Sequence, residues 1–531
     1  MVSSILKFFR TIRYVKAKQI YYLLKYRLLR SKPKYLDNTP DPKHLVINNF
    51  IRSSREIDSV HFNKESLTFN LLNKKKKFFK DQIDWNFDQF GKLWSYQLSY
   101  FDFLHSESLS LENKLFLIDS YCDHINSISS GNEPYPISLR SSNWIIFLSR
   151  NKILRTKYSR VLFSQLKWLK THLEFHLMAN HLLENLTALI IGGIYFQDKG
   201  MLRTPSKLLL EQLDEQILED GAFFELSPQY HFDIMSKMLI LLSIFKDNRN
   251  FELEKLKVKV EEKIVKMLGW LQAICFQGNT IPYFNDSRRF DSDIIQESIM
   301  LADQLGLQSY KTDLSDSKIR ILETESGITA MFKLSAFTPS YQPGHSHSDL
   351  LHFILCYKGS IILDDTGIST YDASDTRMRE RSTVSHNTVT IDGKNQAEIW
   401  KSFRVGRRPD IKFYKDSRNH VVAEHNGYKN LGVLHKRSLN SSENQLVIED
   451  TLSGNQKGTS HYHFHPEVQP VLRDNMVEAN GLIIEITGYE EISIVEYDYA
   501  HDFNSIVKST KLEVSFYNNL KTTICPKEFY I

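Results

Sequence analysis

The sequence is poor in the residues that mark several large classes of protein. Its 531 residues include only four cysteines, which are widely scattered, show no CxxC spacing and each lie in an apolar run. Cys122, Cys275, Cys356 and Cys525 are therefore expected to be buried free thiols, which disfavours a disulfide framework or a cysteine metal site. With 21 glycines and 14 prolines, the chain is neither fibrous nor of low complexity.

The sequence also has little net charge and no long hydrophobic run near its N-terminus. The 67 Lys and Arg against 63 Asp and Glu leave a net charge of +4, too small to predict nucleic-acid binding across the whole surface. Near the N-terminus, a Lys or Arg interrupts every apolar stretch after a few residues. Such short stretches are typical of neither a signal peptide nor a membrane span. We therefore expect no export signal and a cytoplasmic or cell-envelope-associated protein.

Residues 1–59 are predicted to form a basic helical segment. Ten basic residues and no acidic one precede Asp37, and the hydrophobic residues among them recur at helical spacing. Such a segment fits peripheral contact with an anionic membrane surface. It fits equally a basic helix packed on the body of the protein.

The rest of the chain divides into two regions with different hydrophobic patterns. Residues 60–315 have the apolar period of helices, and the helix at 180–196 is apolar almost all round, which predicts a central position. Residues 316–531 carry short runs of β-branched and aromatic residues separated by Asn, Gly, Asp and Ser, typical of antiparallel strands. A helical module followed by an antiparallel β module is therefore expected. Helices are predicted at 111–127, 157–176, 180–196, 207–218, 229–246 and 254–276, and strands at 328–334, 352–363, 388–391, 421–424, 446–450, 461–465, 482–487, 492–497 and 511–516.

The densest group of polar residues opens the β module. In Pro343-Gly-His-Ser-His-Ser-Asp349, the side chains of His345, His347 and Asp349 alternate and would share one face of an extended segment. Asp365 follows 18 residues after His347, and His386 lies 21 residues beyond Asp365. Two imidazoles and a carboxylate are suitable zinc ligands, although two histidines hydrogen-bonded at strand ends would give the same spacing.

The helical module carries two smaller groups. Asn180-His181 opens the central helix, where Asn180 is expected to be the N-cap. In Glu219-Asp-Gly-Ala-Phe-Phe-Glu-Leu-Ser-Pro-Gln-Tyr-His231, the Ser227-Pro228 pair predicts the start of a helix. Tyr230 and His231 would then lie in its first turn.

Taken in order along the chain, these phrases resemble the heparinase II/III and oligoalginate lyase group of polysaccharide lyases. The resemblance rests on Asn180-His181, EDGxxxExSPxYH, GHxHxDxLHF, the DxG after the next strand, and SHNT. It implies an incomplete (α/α) toroid followed by an antiparallel β-sandwich, the same division that periodicity predicts. It also implies that Tyr230 is the catalytic acid/base with His345 as its partner, that Asn180 and His181 bind the substrate carboxylate, and that His347, Asp365 and His386 hold zinc.

The chemistry implied by that group is β-elimination in an acidic, uronate-containing glycan. Loss of the C5 proton places negative charge on the adjacent carboxylate, so donors aimed there stabilise the transition state. We expect a nearby imidazolium or metal to lower the pKa of Tyr230. Basic runs around SHNT suggest Arg379 and Arg404 as further contacts for an acidic glycan, unless they only protect an exposed strand edge.

Three alternatives stay open at this point. A glycoside hydrolase needs two carboxylates across a groove, whereas the concentration here is of His, Tyr and Asn. A zinc-stabilised glycan-binding or assembly protein without turnover would keep much of the same sequence. The basic N-terminal segment also suits a role in making or trimming a surface polysaccharide. The sugar, the linkage and the oligomeric state are not fixed by these patterns.

Overall fold

The computed structural model describes residues 2–29, 31–50, 58–276, 280–288 and 292–530. An α-helical region is followed by an antiparallel β-sandwich, as the change of period predicts. All six predicted helices are present, and the described residues contain four further ones that the sequence does not predict, α3, α5, α11 and α12. The helices α1 to α12 are Val2–Ile12, Ala17–Leu28, Lys92–Tyr100, Leu111–Asp123, Pro134–Arg150, Thr156–Leu169, Ala179–Tyr195, Lys199–Gln216, Pro228–Asp247, Glu254–Ile274, Ser292–Gln304 and Asp375–Glu380.

Helix α7 is the centre of the helical region. It packs on α5, α6, α8 and α9, and all of its residues except His181 and Ile194 are buried, as its uniformly apolar sequence predicts. The Gly192-Gly193 pair allows this packing: a Cβ at Gly192 would lie 2.4 Å from a methyl of Leu166 in α6. The toroidal arrangement of these helices stays a prediction.

The helical module begins with a small sheet that the helical period did not predict. Between residues 66 and 71, the side chains of Leu67, Phe69 and Leu71 are buried. This spacing of two residues is the period of a strand with one covered face. Leu72 and Asn73, both with positive φ, form the tight turn into a strand whose lysines are half-buried or exposed. Strands β1 to β3 are Val60–Phe62, Ser66–Leu71 and Lys74–Phe79.

The β module consists of antiparallel sheets that share one apolar core. One has eight strands in the order β11-β12-β13-β14-β21-β18-β17-β16, and two have four, β19-β20-β15-β8 and β4-β5-β6-β7. Each predicted strand has a counterpart, and 352–363 is a hairpin of two strands. Strands β4 to β21 are Ile319–Glu323, Ile328–Lys333, Phe353–Tyr357, Ser360–Leu363, Val389–Ile391, Ile399–Trp400, Arg404–Val405, Ile411–Asp416, His420–His425, His435–Ser441, Leu446–Leu452, Gly458–His463, Val471–Arg473, Met476–Ala479, Leu482–Thr487, Glu491–Asp502, Ser505–Phe516 and Asn519–Pro526.

The basic N-terminal segment forms helices and touches both modules. From α1, Arg10 pairs with Glu398 at 2.8 Å, and Thr11 accepts a hydrogen bond from the Trp400 indole. From α2, the Tyr26 hydroxyl donates to the Leu173 carbonyl at 2.7 Å. Residues 51–57 of this segment lie outside the described residues. Within the described ranges, no helix has the length and hydropathy needed to cross a bilayer.

Candidate active site

A cleft of about 1320 Å³ runs between the two modules, and four of the residues singled out in the sequence line it: Asn180, His181, Tyr230 and His345. The helical module contributes the first turns of α7 and α9. The β module contributes the loop between β5 and β6 and the segment after β7. The residues that line the cleft around its polar centre are Asn180, His181, Glu225, Gln229, Tyr230, His345, Tyr371 and Phe403.

Helix α9 starts where the Ser-Pro pair predicts. Ser227 is the N-cap, and its hydroxyl accepts a hydrogen bond from the backbone N–H of Tyr230. Pro228 occupies the first helical position, where no N–H is needed. The Ser227 hydroxyl also donates to the backbone carbonyl of Asp286 at 2.6 Å, so the helix start is tied to the loop that carries Asp286. Tyr230 is thereby fixed in the first turn, facing the cleft.

Tyr230 and His345 meet across the cleft. Their ring centroids are 4.0 Å apart, although one residue comes from the helical module and the other from the β module. The hydroxyl of Tyr230 lies 3.1 Å from that of Tyr371, which follows β7. A phenol, an imidazole and a second phenol therefore share one point of the cleft, an arrangement able to move a proton onto or off a bound ligand.

The expectation that Tyr230 has a lowered pKa is wrong. Burial raises the pKa of Tyr230 well above its ordinary value of 10, and the neighbouring Tyr371 and Asp286 raise it further. Burial likewise raises the pKa of Tyr371 well above 10. Because Asp286 is a buried anion close to both phenols, the negative phenolate is disfavoured at this point. Both hydroxyls are therefore protonated and able to donate at neutral pH.

Asp286 holds the imidazole partner in place. One carboxylate oxygen lies 2.8 Å from His345 Nδ1, and the other lies 2.8 Å from His347 Nε2. The guanidinium of Arg377 binds the same two oxygens at 2.6 and 2.7 Å. Asp286, His347 and Arg377 are all fully buried. Such a two-pronged, charge-assisted contact fixes the carboxylate rigidly.

The charge of Asp286 decides which nitrogen of His345 is available. Burial alone would raise the pKa of Asp286, but Arg377 and the hydrogen bonds from His345 and His347 hold it well below its ordinary value. An anionic Asp286 accepts the Nδ1–H of His345, so in the neutral ring Nε2 carries the lone pair. That nitrogen is the one on the side of Glu225, 3.9 Å from its carboxylate. His345 is thus set up as a proton acceptor.

Asn180 and His181 lie at the start of α7 and line the cleft beside Tyr230. Asn180 is not the N-cap: the helix begins at Ala179 after Met178, and both of these residues have positive φ. His181 lies 3.2 Å from the Glu174 carboxylate. Burial would lower the pKa of His181, but Glu174, Glu225 and Glu184 together raise it. The pair therefore offers an amide and a readily protonated imidazole to an anion.

Glu225 is a buried acid at the same point of the cleft. Burial raises its pKa, and the nearby imidazoles of His345 and His181 only partly offset this rise. Among the described residues, neither oxygen of Glu225 has a hydrogen-bond partner of good geometry. A buried carboxyl of this kind is unusual for structural reasons alone, and it marks the cleft as a place where a polar ligand completes the hydrogen bonding.

The three residues of the expected zinc site also come together, deeper than the cleft. His386 Nδ1 lies 2.7 Å from Asp365, and the His347 and His386 rings are 5.3 Å apart. It is Asp365, and not Asp364, that faces these histidines, since Asp364 accepts a hydrogen bond from Tyr499. His352 adds a third imidazole, 3.2 Å from Asp365.

The donor types at this point suit a metal, but the side chains are hydrogen-bonded to one another. In the described part of the chain, no group of three His, Cys, Asp or Glu side chains converges in an arrangement that could hold an ion. Two buried imidazole nitrogens, His347 Nδ1 and His386 Nε2, nevertheless have no hydrogen-bond partner there. The other ring nitrogen of His347 lies 2.8 Å from Asp286, and that of His386 lies 2.7 Å from Asp365. The contact of His347 with Asp286 is the pattern of a metal-binding histidine and its outer partner.

The arginines expected to bind glycan are not in the cleft. Arg379 is 45% exposed and pairs with Asp498 at 2.8 Å, on strand β19. Arg404 is exposed and stacks over Trp400. Their neighbours Arg377 and Arg381 are buried, so this basic run is not simply a solvated edge. Arg381 binds the backbone carbonyls of Ser346, Lys401 and Ser402, which ties the loop of His345 to the segment around Phe403.

Three residues of the site were missed by the sequence reasoning. Asp286 lies in Phe-Asn-Asp-Ser-Arg-Arg, between the predicted helices and strands, where nothing in the pattern separates it from an ordinary loop residue. Tyr371 stands six residues after Asp365, without a surrounding motif. Arg377 was treated as part of a basic surface run. The one available signal was the polarity of Asn285-Asp286 next to the buried Pro-Tyr-Phe run.

Comparison with known protein families gives the same two-part division. Residues 138–306 match the family model described as heparinase II/III N-terminus. Residues 308–525 match the model described as heparinase II/III-like, C-terminal. The chain belongs to the heparinase II/III-like family.

The individual proteins that this chain resembles have low sequence identity to it. A heparin-sulfate lyase of Bacteroides stercoris is 25% identical over 317 residues, which is 54% of this chain and 45% of that protein. The chain thus spans less than half the length of this curated relative. A crystal structure of heparinase III has a TM-score of 0.66 at 15% identity and covers 95% of this chain and 88% of that one. A heparan sulfate lyase mutant from Pedobacter heparinus has a TM-score of 0.57 at 19% identity, covering 96% and 87%. These two likenesses concern the fold.

Proposed function

We propose that this protein is a polysaccharide lyase that cleaves an acidic, uronate-containing glycan by β-elimination. The observation that carries the proposal is the meeting of Tyr230 and His345 across the cleft, at 4.0 Å between ring centroids. Family membership and the lyase relative support the same reaction class. The substrates named for the relatives are heparin and heparan sulfates, and any uronate polymer offers the same reacting atoms.

His345 is the base in this proposal. Its Nδ1–H is held by the anionic Asp286 at 2.8 Å, so Nε2 is free to take the proton from C5 of the uronate. Asp286 then stabilises the imidazolium that results, as a buried carboxylate does for a catalytic histidine. Arg377 keeps Asp286 charged throughout the reaction.

Tyr230 is the acid. As the C5–H electron pair forms the C4=C5 double bond, the C4–O4 bond breaks, and the Tyr230 hydroxyl gives its proton to the departing O4. A phenol with a raised pKa is present in the required protonated form at neutral pH. The imidazolium of His345 then returns the C5 proton to Tyr230, which restores both residues.

Asn180 and His181 complete the site by binding the uronate carboxylate. Negative charge builds up on this carboxylate as C5 loses its proton, so an amide donor and a cation placed there stabilise the transition state more than the ground state. His181 has a raised pKa and is therefore suited to be the cation. Glu225, whose pKa burial raises, can face the same ligand as a neutral donor.

We also propose that His347, Asp365 and His386 hold zinc. The support is the pair of buried nitrogens without partners, together with the Asp365 carboxylate 2.7 Å from His386 Nδ1. Zinc bound there would supply a fixed positive charge and a rigid anchor for the loop of His345. Elimination adds no water, so every step above is carried by Tyr230, His345 and Asp286.

A peripheral membrane contact through α1 is the last part of the proposal. Ile5, Leu6, Phe8 and Phe9 are all exposed, and Phe9 is 64% exposed. They share one side of the helix, because they fall within the i, i+3, i+4 spacing. Basic residues surround this apolar face, so an anionic bilayer is its natural complement. Such a contact would place the protein at the cell envelope and suits a role in trimming a surface polymer.

The direct test is a screen of acidic glycans, including polyuronates and glycosaminoglycans, read by ultraviolet absorbance and product mass. Lyase action gives fragments whose new end carries the unsaturated uronate chromophore. Fragments that gain one water and lack the chromophore would identify a hydrolase. Binding without any fragments would identify a glycan-binding protein.

A further inference from the structure

One wall of the cleft that holds Tyr230 and His345 is built by the N-terminal segment. Leu23, Tyr26, Arg27, Ser31 and Lys32 all line the cleft, and they come from α2 and the residues that follow it. The part of the chain that the two family models match begins at residue 138, so this wall lies before it.

The wall is firmly attached to the helical module. The Tyr26 hydroxyl donates to the Leu173 carbonyl at 2.7 Å, and the Tyr22 ring packs on Phe175 at 4.7 Å between centroids. The Ser31 hydroxyl accepts a hydrogen bond from the Trp168 indole at 3.0 Å and lies 2.8 Å from His172 Nε2. Side chains on this segment are thus held at defined positions beside the cleft.

The wall presents two cations to the cleft. Arg27 and Lys32 are exposed, and within the described residues neither has a carboxylate partner. By contrast, Lys16 at the start of the same helix pairs with Glu215, and Lys92 on the cleft pairs with Glu133. Unpaired cations on a concave surface attract anionic ligands more strongly than paired ones do.

An aromatic surface lies next to these cations. The Trp168 indole stacks on the His172 ring at 4.1 Å and 9° between planes, and both residues line the cleft. An aromatic face with a polar edge is a common support for a sugar ring. A cleft of about 1320 Å³ is larger than the roughly 300–1,000 Å³ of a typical small-molecule pocket, so it has room for several rings.

We infer that Arg27, Lys32 and Trp168 form a distal subsite that binds an acidic sugar of the same glycan chain, away from the bond that is cleaved. This inference rests on the proposed function for the identity of the ligand as an acidic glycan. Arg27 and Lys32 bind carboxylate or sulfate groups, and Trp168 carries the ring. The subsite makes binding depend on chain length, because a short oligosaccharide at the reaction centre does not reach it.

The test compares Arg27→Gln/Lys32→Gln with the parent and with Lys18→Gln, a control that removes one cation from the same helix outside the cleft. KM and kcat are measured on a long acidic glycan and on the shortest oligosaccharide that is cleaved. We expect the double variant to raise KM about fivefold on the long substrate only, with kcat unchanged, as losing two exposed charge contacts would give. Trp168→Ala should act in the same direction.

An unchanged KM on the long glycan in both the double variant and Trp168→Ala would overturn the subsite. Binding of the same glycan is also followed by tryptophan fluorescence, which needs no turnover. If the parent binds glycan but forms no unsaturated product, the proposed function fails, and the fluorescence titration of the double variant alone decides the subsite.

Discussion

The hydroxyl oxygens of Tyr230 and Tyr371 lie 3.1 Å apart, and the two residues come from different modules. The Tyr230 ring packs on the His345 ring with centroids 4.0 Å apart, whereas the Tyr371 ring centroid is 6.1 Å from that of His345. The two phenols therefore have different tasks in the proposed reaction: Tyr230 exchanges the proton, and Tyr371 orients its hydroxyl.

Replacing each phenol separates these tasks. Tyr230→Phe should lower kcat by roughly 10²–10⁴, the usual contribution of a general acid or base. Tyr371→Phe should lower it by only about tenfold, since one neutral hydrogen bond is lost. Tyr414→Phe, which removes an exposed hydroxyl on β11, is the control and should leave kcat unchanged. Equal losses in the Tyr230 and Tyr371 variants would contradict this division.

A second prediction concerns Asp286 and its matched counterpart in the β-sandwich. Asp286→Asn leaves Arg377 buried without a charged partner, so we expect the free energy of unfolding to fall by about 3–5 kcal/mol. Asp450→Asn breaks a similar buried pair with Arg437 and should be destabilising to a similar degree. Because only Asp286 contacts His345, only its variant should lose kcat in the folded protein. Thermal unfolding and single-turnover rates measure the two effects.

Adding Arg377→Met to Asp286→Asn removes the unpaired cation and should restore much of the stability without restoring kcat. Recovery of activity together with stability would show that Asp286 acts only by supporting the fold, and it would remove Asp286 from the mechanism.

The pH dependence of binding should follow His181. Its pKa is raised above the ordinary value of 6.5, so the cation is present below that value and is lost as the pH rises through the raised pKa. KM for an acidic glycan should therefore increase with pH in this range. The stability from the His181–Glu174 pair has the same sign: it is complete below pH 6.5 and declines above it.

His181→Gln should flatten that increase in KM, because the amide does not titrate. His420→Gln, a histidine on β12 far from the cleft, is the control and should leave the profile unchanged. A profile that keeps its slope in His181→Gln would assign the titration to another group.

Metal content tests the zinc proposal. Purified protein should contain about one zinc per chain, and His386→Ala should lose it. His435→Ala is the matched control, since His435 is also a buried histidine on a carboxylate, Asp450, at 2.7 Å. Both variants should lose stability, but only His386→Ala should lose zinc. A chelator should lower the melting temperature of the parent and of His435→Ala, and it should leave that of His386→Ala unchanged. Parent protein without zinc, unaffected by added zinc, would contradict the proposal.

Much of the fold follows from local pattern. The uniformly apolar sequence of α7 requires a buried helix, and Ser227-Pro228 requires a helix start, so both could be read from the chain. The sheet at residues 60–79 was missed because its lysine-rich third strand, Lys74–Phe79, has no apolar period of its own and depends on pairing with β2. Pairing of this kind is a tertiary effect that no local window contains.

The residues of the site also divide into those that a local pattern predicts and those that it does not. Tyr230, His345 and His347 stand in recognisable phrases, whereas Asp286 is defined by what surrounds it: Arg377 from 91 residues further on and two histidines about 60 residues away. The raised pKa of Tyr230 was also beyond the sequence, since it depends on burial and on the nearby charge of Asp286. Contacts between distant segments of the chain determine both the surroundings of Asp286 and the pKa of Tyr230.

The exposed apolar face of α1 leads to the last prediction. The protein should float with phosphatidylcholine vesicles that contain phosphatidylglycerol and should not float with phosphatidylcholine alone, because the basic residues around Phe8 and Phe9 need an anionic surface. Phe8→Ser/Phe9→Ser should abolish flotation by removing the inserted side chains. Lys7→Glu/Arg13→Glu should weaken it by reversing charge beside them. Phe79→Ser, which removes an equally exposed phenylalanine from β3, is the control and should float as the parent does. Flotation that survives Phe8→Ser/Phe9→Ser would show that α1 is not the membrane contact, and its role would then be to pack on the β module through Arg10 and Thr11.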